Sequence, residues 1–399
     1  MPQNSLIAEL KSYEPELVQI RRDIHRHPEV GFEETRTAAL VADRLRRWGL
    51  DVTEGIAGTG VVATLKGRLP GQRAIGLRAD LDALHIQEVP GRDHGSTVPG
   101  KMHACGHDGH TAMLLGAARY LVEHPADFGG TVAFIFQPAE EGLGGGRVMV
   151  EEGLFDRFPV DAVYGMHNMP GIPVGEFRTR TGAFLAASDT WTVIFRGTGG
   201  HGGAGAHLAT DATLPLAHFI LAVQTIVSRN VKASETAVIS IGSIAGGDAG
   251  SPNIIPSQVT VSGTARSYEP KVRDLMETRL TALAHAQAAA FGCSAEVSYS
   301  RRYPPLITHA EQTAVSVAAA TALVGADKVD PDCLPSTGSE DFSFMLEARP
   351  GSFVMIGNGT AEHGTIHHVH TPGYDFNDAI LTLGAAYWVQ LVHTELGLA

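Results

Sequence analysis

Residues 74–82 have the sequence AIGLRADLD, a short apolar run that is followed at once by charged residues. A continuous apolar run bounded by polar residues is typical of a buried strand, so we predict a strand at 74–77 that ends near Arg78. In open α/β sheets, ligands bind beyond the carboxyl ends of the strands. This stretch therefore predicts a buried sheet and also the edge of the sheet at which a functional site would lie.

The same pattern occurs twice further along the chain. Apolar runs at 132–137 and 162–165 are followed by PAEE at 138–141 and by MHN at 166–168. Further strands are predicted at 60–66 and 353–357, and amphipathic helices at 15–27, 34–48 and 111–123. This alternation predicts an α/β fold, in which a mostly parallel central sheet is flanked by helices. The three polar segments are expected to converge on one cleft.

The middle of the chain follows a different pattern. From about residue 188 to residue 299 the predicted order is strand, glycine- and histidine-rich loop, helix, two strands, helix and strand. This order predicts an α+β domain, in which two helices cover a four-stranded, antiparallel sheet. The chain is therefore expected to form one domain from residues 1–186 and 301–399, interrupted by a second domain at 187–300.

Composition excludes several kinds of partner. The chain of 399 residues has a net charge of -13 and no run of five basic residues, which argues against nucleic acid or an anionic membrane as a partner. Its 3 cysteines are widely spaced, so no disulfide framework is predicted and a reducing compartment is favoured. Without a signal-peptide pattern or a long apolar segment, the protein is expected to be cytoplasmic.

Potential metal ligands are concentrated in two segments. Residues 102–111, MHACGHDGHT, combine a thiol, three imidazoles and a carboxylate, which suit ions such as zinc, cobalt or manganese. Residues 362–372, EHGTIHHVHTP, contain His363, His367, His368 and His370. The adjacent carboxylates of Glu140 and Glu141 could face one site only if the backbone turns between them. These segments predict a metal site, although a polar loop and an exposed acidic pair are the simpler alternatives.

Eight segments resemble, in order, the signature blocks of the dinuclear-metal amidohydrolase and peptidase family. This family includes hippurate hydrolases, N-acyl-amino-acid amidohydrolases and auxin-conjugate hydrolases. The blocks are HRHPE at 25–29, RADLDAL at 78–84, HACGHDGH at 103–110, QPAEEG at 137–142, GMHN at 165–168, GH at 200–201, GSEDF at 338–342, and HTP at 370–372 with DFND at 375–378. Each block is short, but the ordered set extends over nearly the whole chain. The Cys-x-His pair is closest to the branch in which a cysteine serves the metals.

The resemblance implies the chemistry and its residues. It implies hydrolysis of the amide bond of N-acyl amino acids with two divalent ions, from among zinc, manganese, cobalt and nickel, and with Glu140 as the catalytic carboxylate. Asp82 is expected to orient a ligand, because metal-bound imidazoles usually donate their second N–H to a carboxylate. The implied ligands are Cys105, His107, Glu141, His167 and His370, with His103, Asp108 and His110 in supporting positions.

The resemblance also assigns a role to the inserted domain, as a lid and a dimerisation domain. It implies that His201 stabilises the oxyanion, often from the partner subunit of a dimer, and that Asn253 and Arg266 contact the substrate. The expected partners are a small N-acyl amino acid or short peptide and further copies of the chain, as a homodimer or higher homo-oligomer. Two departures from the family pattern, His85 in place of proline and HGGAGAH at 201–207, bear on the substrate fit.

Other functions remain open at the level of sequence. The same scaffold could carry a dipeptidase or an exopeptidase. A cysteine hydrolase could use Cys105 as nucleophile with His107 or His110 as base, although this would leave Glu140, Glu141 and His370 without a role. A protein that binds metal without turnover is the third possibility. His370 is preferred to His368 as a ligand because Thr-Pro follows it.

Overall fold

The computed structural model describes residues 5–361 and 366–397. Within them, the helices α1–α11 are Ser5–Leu10, Glu14–Arg26, Thr35–Arg47, His107–Glu123, Gly145–Glu151, Leu154–Arg157, Thr213–Thr225, Pro270–Ala290, Ala310–Val324, Phe342–Ala348 and Leu381–Leu396. The strands β1–β16 are Asp51–Ile56, Gly60–Lys66, Leu69–Asp80, Gly129–Gln137, Ala162–Pro170, Phe177–Arg178, Gly182–Leu185, Ser188–Arg196, Gly200–His201, Ala237–Gly246, Ile254–Ile255, Gln258–Ser267, Ser294–Tyr303, Leu306–Thr308, Val329–Asp330 and Gly351–Gly359.

The chain divides into two compact units. The first consists of the chain up to Gly182, Ile307–Leu334 and the chain from Asp341 onward, and the second consists of Ala183–Leu306 and Pro335–Glu340. The segment 187–300, which the sequence assigns to an inserted domain, lies within the second unit. Pro335–Glu340 also belongs to that unit, and no sequence signal pointed to this second crossing of the chain.

The first unit is built on an eight-stranded sheet with the strand order β1-β2-β4-β3-β5-β16-β6-β15. Its central strands β4, β3, β5 and β16 are parallel to one another, whereas β1 and β2 form an antiparallel extension on one side and β6 pairs antiparallel with β16 on the other. Buried apolar residues fill these strands, as expected where both faces of a parallel sheet are covered. The predicted α/β fold with a mostly parallel central sheet is confirmed.

Strands β3 and β5 continue past the polar residues at which the sequence predicted them to end. The expected end of β3 after residue 77 is wrong, because Arg78 and Asp80 lie inside the strand and are fully buried. Arg78 Nη1 donates to Asp80 Oδ2 at 2.6 Å, so the two charges compensate one another within the sheet. Strand β5 likewise continues through His167, which is paired with Met355 of β16. A search for apolar runs misses strands that contain paired charges.

Helix α4 lies in the core of the first unit and is buried around nearly its whole circumference. It packs against α2, α11 and β3. Gly116 allows this close approach, because a Cβ atom there would lie 3.0 Å from Leu17 Cδ1 and 3.1 Å from Ala385 Cβ. The amino end of α4, where the predicted ligand cluster lies, is thus fixed by packing on several sides.

The second unit has a four-stranded antiparallel sheet with the order β10-β12-β8-β13. Alternate residues of β8 are buried, which is the pattern of a sheet covered on one face. Helices α7 and α8 provide the cover, and the ring of Phe219 on α7 lies 5.6 Å from that of Phe195 on β8. The predicted smaller α+β sheet is confirmed. Across the described parts of both units, no helix is long and apolar enough to span a membrane.

Candidate metal centre

The residues predicted to bind metal meet at one edge of the larger sheet. Strands β4, β3 and β5 are parallel neighbours, so their carboxyl ends place Glu141, Asp82 and His167 along the same edge. Helix α4 begins at this edge and brings His107. The segment after β16 brings His370, whose backbone N–H donates to the carbonyl of Ala104 at 2.7 Å.

Gly106 lets the chain pass the centre of this edge. Its φ of 94° lies in the left-handed region, and it precedes the first residue of α4. A Cβ atom at this position would lie 2.2 Å from Asn168 Nδ2 and 2.4 Å from Tyr374 Oη, so no larger residue fits. The glycine thereby places Cys105 and His107 in the same site on either side of a sharp change of direction.

Several groups of three residues have donor atoms that all lie within 4.8 Å of one another, and two of these groups overlap at Cys105. One group contains Cys105, His107 and His167, and the other contains Cys105, Glu141 and His370. Cys105 Sγ lies 3.3 Å from His167 Nε2, and His370 Nε2 lies 3.0 Å from Glu141 Oε1. Since Cys105 belongs to both groups, its sulfur occupies the position from which a thiolate could bridge two ions.

Asp82 connects two of these donors. Its Oδ1 lies 3.1 Å from His107 Nδ1, and its Oδ2 accepts the backbone N–H of Glu141 at 2.9 Å. This leaves His107 Nε2 buried without a hydrogen-bond partner among the described residues. Such an orphaned nitrogen is expected of an imidazole that binds a metal ion through Nε2 and a carboxylate through Nδ1.

The electrostatics of the site favour cations. Burial alone would lower the pKa of His107, but Asp80 and Asp82 raise it to about 10. Burial, together with the carboxylates of Glu141 and Glu140, raises the pKa of Cys105 well above its ordinary value. A thiolate at Cys105 therefore needs a compensating positive charge. The donor set, the orphaned nitrogen and this excess of carboxylates all fit divalent metal ions.

Glu140 and Glu141 lie in a turn that follows β4, which is the geometry required for both carboxylates to face one site. Glu140 is buried, and its Oε1 accepts the backbone N–H of Asp341 at 3.4 Å. It belongs to a third group of neighbouring donors, with Glu141 and His107. The carboxylate of Glu140 thus lies beside the potential metal ligands.

His110 belongs to a further group of neighbouring donors, with Asp80 and His107, but both of its nitrogens already have partners. His110 Nδ1 donates to Asp80 Oδ1 at 2.6 Å, and its Nε2 accepts the backbone N–H of Asn168 at 2.9 Å. Asn168 also donates to the carbonyl of Cys105 at 2.7 Å and accepts from Tyr374 Oη at 2.7 Å. The sequence signalled Asn168 only through its block, and it did not single out Tyr374, although this residue closely follows the second histidine segment.

Asp108 and the remaining histidines of the two segments lie around the site rather than in its donor groups. The carboxylate of Asp108 is fully buried and lies 2.8 Å from His25 Nδ1 and 2.9 Å from Arg21 Nε. Burial lowers the pKa of His103 to about 4, so this imidazole is neutral. His367 and His368 are exposed, and His363 lies outside the described residues.

Two of the substrate-contact candidates are neighbours in the second unit. His201 on β9 pairs with Ile254 on β11, and the N–H of Gly202 donates to the carbonyl of Asn253 at 2.7 Å. The exposed imidazole of His201 accepts the N–H groups of Gly203 and Ala204 at Nδ1, each at 3.1 Å. In the neutral ring the proton therefore resides on Nε2, which remains a donor.

The third candidate, Arg266, lies near the end of β12. Its Nη1 donates to Ser339 Oγ at 3.3 Å. Burial lowers the pKa of Arg266, although a guanidinium remains charged at neutral pH. A guanidinium can bind an anionic group. Arg266 is distant in the sequence from His201 and Asn253, so sequence spacing alone does not indicate whether the three side chains act together.

Thiol, imidazole and carboxylate donors beside a further, buried glutamate are the constellation of a metal-dependent hydrolase. The chain belongs to Peptidase family M20/M25/M40, whose profile it matches over residues 76–394. It is 38% identical over 387 residues to a hippurate hydrolase of Campylobacter jejuni, which covers 97% of this chain and 98% of the relative. It is 37% identical over 380 residues to an N-acetyl-L-cysteine deacetylase of Bacillus subtilis, with 95% and 88% covered.

A solved structure agrees with this assignment. A Bacillus subtilis protein described as a dinuclear metal binding peptidase from the M20 family superposes with a TM-score of 0.83 at 32% identity, over 97% of this chain and 99% of that chain. Family membership makes the present protein a metal-dependent hydrolase of amide bonds.

Proposed function

We propose that the protein hydrolyses the amide bond of N-acyl amino acids and releases a carboxylic acid and an amino acid. The observation that carries this proposal is the convergence of Cys105, His107, Glu141, His167 and His370 beside the buried carboxylate of Glu140. The relatives named hippurate hydrolase and N-acetyl-L-cysteine deacetylase, both similar over nearly the whole chain, support this substrate class.

The proposed cofactor is a pair of divalent ions, from among zinc, manganese, cobalt and nickel. Cys105, His107 and His167 would hold one ion, and Cys105, Glu141 and His370 the other. When bound, such a pair lowers the pKa of water and polarises the carbonyl of an amide. The carboxylates that surround Cys105 support metal binding, because the positive charge of the ions would compensate them and would stabilise the thiolate.

Glu140 would act as the general base and then as the general acid. Its carboxylate takes a proton from the attacking water and returns it to the nitrogen of the departing amine, so that the amine leaves in a stable form. Asp82 keeps Nδ1 of His107 occupied and therefore keeps the ring oriented. The reaction needs no covalent intermediate with the protein.

Substrate binding would involve the second unit. His201 would donate from Nε2 to the oxyanion, and Arg266 and Asn253 would contact the carboxylate of the amino acid or the oxyanion region. We also propose a homodimer or a higher homo-oligomer. This is supported by apolar exposure in the second unit, where Leu221 on α7 is 74% exposed and Ile244 on the edge strand β10 is 56% exposed.

A cysteine hydrolase is the weaker alternative. Its mechanism requires a thiolate, but burial and two carboxylates raise the pKa of Cys105. Of the suggested bases, His110 has partners at both nitrogens. Nε2 of His107 has none among the described residues, but its use as a base would leave Glu140, Glu141 and His370 without a role.

Substituting Glu140→Gln tests the role of this carboxylate. We expect kcat to fall by about 10²- to 10⁴-fold, because a general base is lost, while the bound metal per subunit stays unchanged. Glu151→Gln, at an exposed position on α5, is the matched control and should retain full activity. An unaltered rate in Glu140→Gln would remove Glu140 from the mechanism.

Metal removal and a substrate panel test the rest of the proposal. Exhaustive chelation should abolish turnover, and one of the four proposed ions should restore it. Activity that survives chelation but is lost to a thiol alkylator would favour the cysteine mechanism.

A panel of N-acetyl, N-benzoyl and indole-acyl amino acids together with dipeptides tests the substrate class. We expect the largest kcat/KM for an N-acyl amino acid. A preference for dipeptides would instead identify a dipeptidase.

A further inference from the structure

The turn that carries Glu140 and Glu141 begins with a strained residue. Ala139 has a φ of 54°, in the left-handed region that residues with a Cβ atom rarely adopt. This conformation costs about 1–2 kcal/mol for a non-glycine residue. It persists only where the surroundings hold it in place. The orientation of the two following carboxylates therefore depends on whatever holds Ala139.

A buried carboxyl group holds Ala139 from outside the turn. Glu34 is fully buried, and its Oε1 accepts the backbone N–H of Ala139 at 2.8 Å. Its Oε2 accepts the hydroxyl of Thr59 at 2.6 Å, just before β2. On the other side of Ala139, its carbonyl accepts the N–H of Gly145 at 2.9 Å. Both backbone polar groups of the strained residue are thus fixed.

Burial of this carboxyl group is costly, so its position calls for a reason. Burial raises the pKa of Glu34 to about 7, against the effect of the hydrogen bond from Thr59. An apolar side chain would fill the same space without that cost, but it would leave the N–H of Ala139 buried and unsatisfied. The carboxyl group is the part of the side chain that reaches this N–H.

We propose that Glu34 is a positioning residue for the reaction: it clamps Ala139 in the left-handed conformation and thereby aims Glu140 and Glu141 into the metal centre. This inference rests on the proposed roles of Glu140 and Glu141. Asp82 holds the far end of the same turn through the N–H of Glu141. Glu34 and Asp82 together fix the turn at both of its ends, and neither side chain belongs to the donor groups.

Removing the clamp should affect both carboxylates at once. In Glu34→Ala we expect kcat to fall about 10- to 100-fold with little change in KM, because a displaced general base slows the chemical step. Metal affinity should fall about 10- to 100-fold as well, because Glu141 is a proposed ligand. Glu34→Gln should remain within about threefold of wild type in kcat, since its Oε1 can still accept from Ala139 and its amide can donate to Thr59.

Glu29→Ala is the matched control. Glu29 lies on the same segment and caps α3 by accepting the N–H groups of Arg36 at 2.9 Å and Thr37 at 2.8 Å, but it makes no hydrogen bond to the turn. Its removal should lower the stability of the protein while leaving kcat and metal affinity unchanged. Should Glu34→Ala fail to fold, Glu34→Asp shortens the side chain by one methylene and should give a smaller loss of the same kind.

A rescue experiment separates clamping from general stabilisation. Glycine adopts positive φ without strain, so Ala139→Gly reduces the need for the clamp. We expect kcat of the double variant, Glu34→Ala with Ala139→Gly, to be at least about fivefold higher than kcat of Glu34→Ala. When Glu34 is intact, Ala139→Gly should change kcat little. A double variant that is no more active than Glu34→Ala would overturn the clamp. Wild-type kcat and metal affinity in Glu34→Ala would overturn it as well.

The same assays distinguish failure of this inference from failure of the proposed function. If Glu140→Gln is inactive while Glu34→Ala behaves as wild type, only the clamp is refuted. If Glu140→Gln is fully active, the proposed mechanism is wrong. Zinc affinity, measured by competition with a chelator in Glu34→Ala and in Glu34→Ala with Ala139→Gly, then still tests the clamp without reference to turnover.

Discussion

A single carboxylate at the sheet edge organises two of the proposed ligands. Asp82 binds His107 Nδ1 with one oxygen and the N–H of Glu141 with the other. It thereby fixes which nitrogen of His107 is available, and also where the backbone of Glu141 lies. The sequence pointed to the first contact through general knowledge of metal-bound imidazoles, whereas the second depends on the path of the chain after β4.

At this scale we predict the effect of Asp82→Asn. The amide can still accept from His107 through its oxygen, but its NH₂ group faces the N–H of Glu141 and cannot accept from it. Divalent-metal affinity should fall about 10- to 100-fold, as measured by competition with a chelator. Asp43→Asn, at an exposed position on α3, is the control and should bind metal as wild type does. Equal affinities for all three proteins would contradict the orienting role.

Elements rather than single residues bring the site together. Parallel β4, β3 and β5 present their carboxyl ends at one edge, and α4 is fixed at that edge by its packing against α2 and α11. Glu34 connects the start of α3 to the turn after β4. Since this contact joins segments 105 residues apart, it acts on the relative position of whole elements.

The buried carboxyl of Glu34 predicts a pH dependence of stability. Its pKa is raised from 4.5 to about 7, mainly by burial. The stability associated with its protonated form is therefore complete below about pH 4.5 and is lost as the pH rises through 7. Between pH 4 and pH 8 the wild-type protein should lose up to about 3 kcal/mol relative to Glu34→Gln, which does not titrate.

Denaturant unfolding of both metal-free proteins at several pH values measures this difference. Keeping the proteins metal-free removes the pH dependence of metal binding from the comparison. Parallel stability curves for wild type and Glu34→Gln would show that the pKa of Glu34 is not raised.

The whole molecule consists of two units with different proposed tasks. The first contains the donor groups and Glu140, and the second contains His201, Asn253 and Arg266. In the second unit, two backbone N–H groups occupy Nδ1 of His201, so Nε2 is the nitrogen that can donate to a substrate. We propose that both sets of residues act in one reaction, either within a subunit or across a homo-oligomer. A test of this proposal has to be made on the whole molecule.

Mixed oligomers provide that test. If His201 acts across a dimer, a heterodimer of His201→Ala and Glu140→Gln contains one complete site, although each variant alone is inactive. A random equal mixture should then recover about a quarter of wild-type activity, because half of the dimers are mixed and each has one of two sites intact. No recovery, despite heterodimers verified by mass, would place His201 in the same subunit as the site that it serves.

Sequence patterns were sufficient to predict the α/β sheet, the smaller α+β unit and the metal-donor segments, because hydrophobic periodicity and residue chemistry are local properties. They were not sufficient to predict that β3 and β5 extend through Arg78 and His167, since such side chains are tolerated there only where the fold supplies partners, such as Asp80 and Gln137 for Arg78 and Cys105 for His167. Nor could they identify the Glu34 clamp on Ala139 or the hydrogen bonds of Asn168. These depend on distances between remote segments, which the packing of β4, β3, β5 and α4 alone decides.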